Sequence, residues 1–147
     1  MPALHAVHDT DPRLDLLKKV GMNIKKSGKI VGEPLGGAEL FGNAILAAVY
    51  IRPKKARHGT LTLQLADSTV EEDKNQGKVG LVIALGPLAY EDDEQTQFHG
   101  QRVEVGDWVV FRPSEGWGIT LTSNQVLCRM LTEGNIRMKI NSPDDVW

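Results

Sequence analysis

One stretch constrains the fold of this chain more than any other. From Lys78 to Pro87 it reads Lys-Val-Gly-Leu-Val-Ile-Ala-Leu-Gly-Pro, an apolar run that a proline closes. Length, β-branched content and flanking Gly and Pro favour a buried strand over a helix. The chain then turns acidic at Glu91-Asp-Asp-Glu94 and returns as Val103-Glu-Val-Gly-Asp-Trp-Val-Val-Phe111. An apolar strand, a polar arch and a return strand predict an all-β fold, a small β-barrel with a hairpin projecting from it.

The flanking segments sharpen that expectation. Ala44-Ile-Leu-Ala-Ala-Val-Tyr-Ile51 is a second continuous apolar run, the pattern of a strand buried on both faces, and Pro53 ends it. Thr60-Leu-Thr-Leu-Gln-Leu65 alternates polar with apolar, the mark of a half-buried or edge strand. Asp67 to Gly77 is polar and turn-rich, hence a solvated loop. Further strands are predicted at 78–85, 102–105, 107–112, 117–122, 125–131 and 135–140, with turns at Gly106-Asp107 and Ser114-Glu-Gly116. Short strands at this spacing favour a barrel or sandwich over a doubly wound sheet.

Residues 1–43 read differently and divide the chain into an N-terminal arm and a barrel domain over 44–147. Asp11-Pro12 is a helix start, with a capping carboxylate and Pro at the first helical position. Leu14, Leu17, Val20 and Ile24 recur near helical spacing and Gly21 is a stop, which predicts a short amphipathic helix near 12–20. Gly32, Gly36, Gly37 and Gly42 then predict a linker or an arm laid over another surface. So short a helix is marginal alone, and its apolar face, with Leu14, Leu17 and Val20, must dock on its own barrel or on a neighbour.

Composition narrows the chemistry. A chain of 147 residues suffices for one domain and buries about 68–70% of its unfolded surface, so no disulfide is needed. The single Cys128 lies in the apolar run Val126-Leu-Cys-Arg-Met-Leu131 and reads as a buried structural thiol in a reducing compartment. With 17 basic and 19 acidic residues there is no global field to recruit nucleic acid or anionic lipid. No apolar stretch approaches the ~20 residues of a membrane span. The N-terminus shows neither a signal core nor, given Asp9, Asp11 and Asp15, a transit peptide. The expectation is a protein of the cytoplasm.

No motif points to catalysis or to a cofactor. The four histidines, His5, His8, His58 and His99, lack a Cys pair or H-E-x-x-H context and read as surface residues, not metal ligands. An apolar setting keeps Cys128 protonated, which removes it as a nucleophile. Glu91, Asp92, Asp93 and Glu94 lack calcium-loop spacing and read as a solvated acidic tip. Gly32 to Gly42 is not followed by Gly-Lys-Ser/Thr, so it is no phosphate loop. The chain is expected not to be an enzyme. What remains is a rigid barrel with projecting segments, where binding function usually sits. Segment 58–77 has two readings: an edge strand with Leu61, Leu63 and Leu65 facing the core, or an exposed apolar tripeptide that docks in a partner's groove.

Over about residues 41–140 the order and spacing of four pieces resemble the GroES-like co-chaperonins. Gly42-Asn-Ala-Ile-Leu-Ala-Ala-Val-Tyr-Ile-Arg-Pro looks like that family's first strand. Gln76-Gly-Lys-Val-Gly-Leu-Val-Ile-Ala-Leu-Gly resembles its "G-x-V-x-A-V-G" strand, and Val103 to Phe111 its "V-K-V-G-D-x-V-x-F" return. Asn124 to Ile140 resembles the closing strands. The V-G-D piece alone also occurs in medium-chain dehydrogenases, which need a dinucleotide domain that this chain is too short to contain.

The resemblance implies a lid that caps an ATP-loaded chaperonin ring and encloses a substrate protein. It makes 58–77 the mobile loop, aligning Gly59, Leu61, Thr62 and Leu63 with the family's Gly-Gly-Ile-Val-Leu anchor. Segment 87–101, with Glu91, Asp92, Asp93 and Glu94, becomes the roof hairpin. Ring closure would pair strands near 44–51 and 135–140 of neighbouring copies. Two departures stand out. Thr62 replaces an apolar residue, a loss of about 1 kcal/mol per contact multiplied over a ring. The N-terminal arm has no counterpart in the ordinary co-chaperonin. An arm plus a small barrel also suits a bacteriophage capsid decoration protein, with the barrel on the virion shell and the arm stapling neighbours. The expected partners are therefore a chaperonin ring, or capsid proteins in the alternative, together with a homo-oligomer of the chain itself. A phage-encoded protein would work in the host cytoplasm or the virion.

Overall fold

A computed structural model describes residues 4–6, 10–52, 55–58, 61–64, 78–122 and 125–146, with 4–6, 55–58 and 61–64 described in backbone only. The chain is mostly β. Its strands are β1 (Leu4–Ala6), β2 (Met22–Ile24), β3 (Ile30–Gly32), β4 (Ala44–Val49), β5 (Lys55–His58), β6 (Leu61–Gln64), β7 (Val79–Leu85), β8 (Trp108–Phe111), β9 (Trp117–Leu121), β10 (Val126–Thr132) and β11 (Ile136–Ile140). One α-helix, α1 (Pro12–Lys19), precedes β2.

Six strands form the main sheet, in the order β11-β8-β7-β4-β10-β9 and antiparallel throughout. Its two central strands are the two apolar runs of the sequence, and the reason is burial on both faces. Along β4, Leu46 and Ala48 point into one core cluster while Ile45 and Ala47 point into the other. Along β7, Leu81 and Ile83 share the first cluster and Val82 joins the second. The alternation is that of a pleated strand with no wet face. A register shift opposite Leu46/Ala47 lets β7 bend there.

Each face has its own cover. The first is closed by the N-terminal segment: Leu17 at 1% and Val20 at 2% exposure, with Met22, pack with Leu46, Tyr50, Leu81 and Trp108. The second is closed by the excursion between β7 and β8, which contributes Ala89, Tyr90 and Val103 against Ile45, Val82, Val109 and Phe111. Helix α1 starts as its sequence dictates. The Asp11 carboxylate accepts from the Arg13 N–H at 2.9 Å, and Pro12 needs no partner for its nitrogen. Gly21, at φ 78°, supplies the left-handed residue that ends it.

The structure departs from expectation in four places. The stretch after the helix is not only linker, because β2 and β3 pair as a two-stranded hairpin, Met22 opposite Gly32 and Ile24 opposite Ile30. No strand forms at 102–105; Val103 is buried but its segment is held by loop contacts, with the Gly106 N–H donating to the Val82 carbonyl at 2.8 Å. The roof segment 87–101 is not a β-hairpin but a series of turns. Finally, the barrel is an open sheet in hydrogen-bonding terms: among the described residues no ladder joins β11 to β9. Because β4 is paired on both sides, to β7 and β10, it has no free edge for a neighbouring copy. Among the described residues β11 has a ladder partner on one side alone, β8.

Candidate functional site

The segment between Arg52 and Lys78 leaves the main sheet and builds a second one. β5 and β6 run antiparallel, with His58 opposite Leu61, Arg57 opposite Thr62 and Ala56 opposite Leu63. β1 pairs on the other side of β5, giving the order β1-β5-β6, and among the described residues no ladder links this sheet to the six-stranded one. Among the described residues β6 is therefore an edge strand of this sheet, pairing on one side alone. Leu61 and Leu63 occupy alternate positions and so share a face, with Thr62 on the other. Of the anchor residues expected from sequence, Gly59 lies outside the described residues, as do 65–77.

The other expected site residues fall in different places. Glu91, Asp92, Asp93 and Glu94 are all exposed. Two of them fold their own loop. The Asp93 carboxylate accepts from the backbone N–H groups of Gln95 (2.7 Å) and Thr96 (2.6 Å), and Asp92 accepts from the Phe98 N–H at 2.7 Å. The Gln97 amide donates to the Asp93 carbonyl as well. These carboxylates make the turns in which Tyr90 stacks edge-on against Phe98, ring centres 5.2 Å apart. In the N-terminal segment, Leu17 and Val20 are consumed by the chain's own core, whereas Leu14 is 41% exposed.

Sequence reasoning missed three surface features. Phe41, 80% exposed, and Leu88, 61% exposed, come from two segments joined by the Leu88 N–H donating to the Gly42 carbonyl at 2.8 Å. Trp117 is 61% exposed on the edge strand β9. An open groove of about 440 Å³ runs beside β11, with Tyr90, Val103, Ile136 and Met138 along it and Arg102, Arg137 and Lys139 among its lining. Its cations have partners: Lys139 lies 3.9 Å from the Asp107 carboxylate, and Arg137 lies 3.2 Å from that of Glu115. The Arg137 hydrogen bond, against a smaller opposing effect of burial, holds the Glu115 carboxyl below its ordinary range. Burial, with Glu133 nearby, pushes the Tyr90 phenol up to about 12. Single exposed aromatics carry no sequence signal, since exposure is decided by the neighbours that fail to cover them.

Burial raises the Cys128 thiol to about 12, so it is protonated at any physiological pH. Among the described residues no group of three or more His, Cys, Asp or Glu is placed to hold a metal ion, and no helix is long and apolar enough to cross a membrane. No protein-family model matches this sequence, and no curated protein matches it either.

Proposed function

We propose that this chain is a co-chaperonin-like lid that docks on an ATP-loaded chaperonin ring through β6. One observation carries the reading. The chain sets a Leu-Thr-Leu edge strand apart from a main sheet that is already buried on both faces. Among the described residues β6 belongs to the β1-β5-β6 ladder and shares no ladder with the six-stranded sheet. The order of apolar runs and the Val103–Phe111 return, which resemble a GroES-like chain, agree with it. In this reading Leu61 and Leu63 enter an apolar groove on the ring, and the six-stranded sheet is the rigid body of the lid.

The test is co-sedimentation of the full chain with a bacterial chaperonin, with and without adenine nucleotide. Nucleotide-dependent binding that Leu61→Asp abolishes supports the proposal. Binding under no nucleotide condition sinks it. A second reading, a capsid decoration protein, is favoured by exposed Phe41 and Leu88, which give a shell subunit an apolar foothold. In that reading the arm's exposed apolar contact is Leu14, 41% exposed, because Leu17 and Val20 are buried within the chain.

A further inference from the structure

β1 is used where nothing in the sequence asks for it. Leu4–Ala6 runs antiparallel to β5, with Leu4 opposite His58, His5 opposite Arg57 and Ala6 opposite Ala56. Among the described residues β1 is the third strand of this sheet, and without it β5 and β6 would pair as a two-stranded hairpin, which is marginal in water. The hairpin also lies in the long connection between β4 and β7, and ordering a segment within so long a loop carries a closure entropy. β1 adds an attachment of a different kind. Ala6 is within about 20 Å of extended chain from Pro12, and α1 is held to the core by Leu17 and by Val20, the residue that caps its C-terminus. The hairpin is thereby tied to the core through the N-terminal segment as well as through its own ends.

We propose that β1 is a positioning element for the docking strand: it holds β5 and β6 as a preformed sheet, so that Leu61 and Leu63 meet the partner already in an extended strand. The proposal rests on the co-chaperonin reading for its partner, and on the β1–β5 ladder alone for its mechanism. Apparent affinity falls by the fraction of molecules whose binding element is formed. If the lone hairpin is formed about one-tenth of the time, loss of β1 weakens each docking contact about tenfold. Several copies binding together would multiply that loss.

Two variants of the full chain test this. One deletes residues 2–9 and keeps the Asp11 cap; the other carries Ala6→Cys with Ala56→Cys. Directly opposed residues of an antiparallel pair have Cα atoms about 4.5–5.5 Å apart, inside the range a disulfide spans, and the native Cys128 is fully buried and does not compete. The expected results are a cross-link under mild oxidant, and loss of amide-exchange protection at β5 and β6 in the deletion with β4 and β7 unchanged. Binding to the ATP-loaded ring should weaken about tenfold on deletion and be retained in the cross-linked form. Failure to cross-link, unchanged protection on deletion, or full affinity despite lost protection would each overturn the proposal. If the intact chain binds no chaperonin at all, the co-chaperonin reading falls, and the exchange and cross-link results still decide whether β1 orders the hairpin.

Discussion

Leu17→Ala measures how far the N-terminal segment belongs to the main body of the protein. Leu17 is 1% exposed and packs in one cluster with Leu46 of β4, Leu81 of β7, Trp108 of β8 and Tyr50 just past β4. Truncating a fully buried leucine costs about 3–5 kcal/mol, the lost transfer energy plus the cavity left behind. The low end applies here, about 3 kcal/mol, because α1 is a single short helix that can settle toward the hole. For a chain of this size each kcal/mol moves Tm by about 2–4 °C, so Tm should drop by about 6–12 °C. Leu14→Ala, at a position 41% exposed, is the control and should stay within about 0.5 kcal/mol. The assay is thermal and urea unfolding followed by tryptophan fluorescence, since Trp108 lies in the same cluster. One cooperative transition at lower midpoint and unchanged m-value is expected. An unmoved main transition, or a separate early melting of the helix, would refute the idea that residues 12–24 complete this core.

Three further outcomes follow from close contacts and buried groups. In Gly86→Ala the new Cβ would meet the Gly42 carbonyl oxygen and, at 3.1 Å, the Ala44 backbone, where no flexible side chain can yield; urea unfolding should show a loss of about 2 kcal/mol. Arg129→Met removes a part-buried guanidinium whose Nη2 donates to the Pro113 carbonyl at 2.7 Å and to the Glu115 carbonyl, which should cost about 1–3 kcal/mol in a thermal melt. Cys128 keeps its proton to about pH 12 in the folded chain, against an ordinary thiol value of 9.0. Its contribution is thus complete below that ordinary value. Above it the unfolded chain ionises first and stability falls by about 1.4 kcal/mol per pH unit. Urea titrations on either side of that value should show the slope, and Cys128→Ala should flatten it.

The parts of the fold that were readable in the sequence are those whose environment is uniform along the chain. β4 and β7 are buried on both faces, so Ala44–Val49 and Val79–Leu85 appear as unbroken apolar runs. The start of α1 was readable because Asp11 and Pro12 act locally, through a cap and a preset φ. What was hidden depends on partners distant in sequence. β5 is Lys-Ala-Arg-His, with no strand signature, and is extended because β1 and β6 flank it. β2 and β3 are three residues each, too short for periodicity, and their turn is set by Gly28 at φ 87°. Val103-Glu-Val105 alternates like a strand, yet β7 spends its edge on β8, so Val103 packs as a loop residue over the second cluster. At the site, the Leu-Thr-Leu alternation was visible in the sequence, whereas its separation from the main sheet required the topology.

The most direct measurement is an electron cryo-microscopy reconstruction of the full chain with a chaperonin ring loaded with ATP. A co-chaperonin should appear as a cap on the ring, with density for β5 and β6 reaching an apolar groove and Leu61 and Leu63 at the contact. A ring that stays bare, or a complex whose contact lies at Phe41 and Leu88 with β6 facing away, would contradict that function.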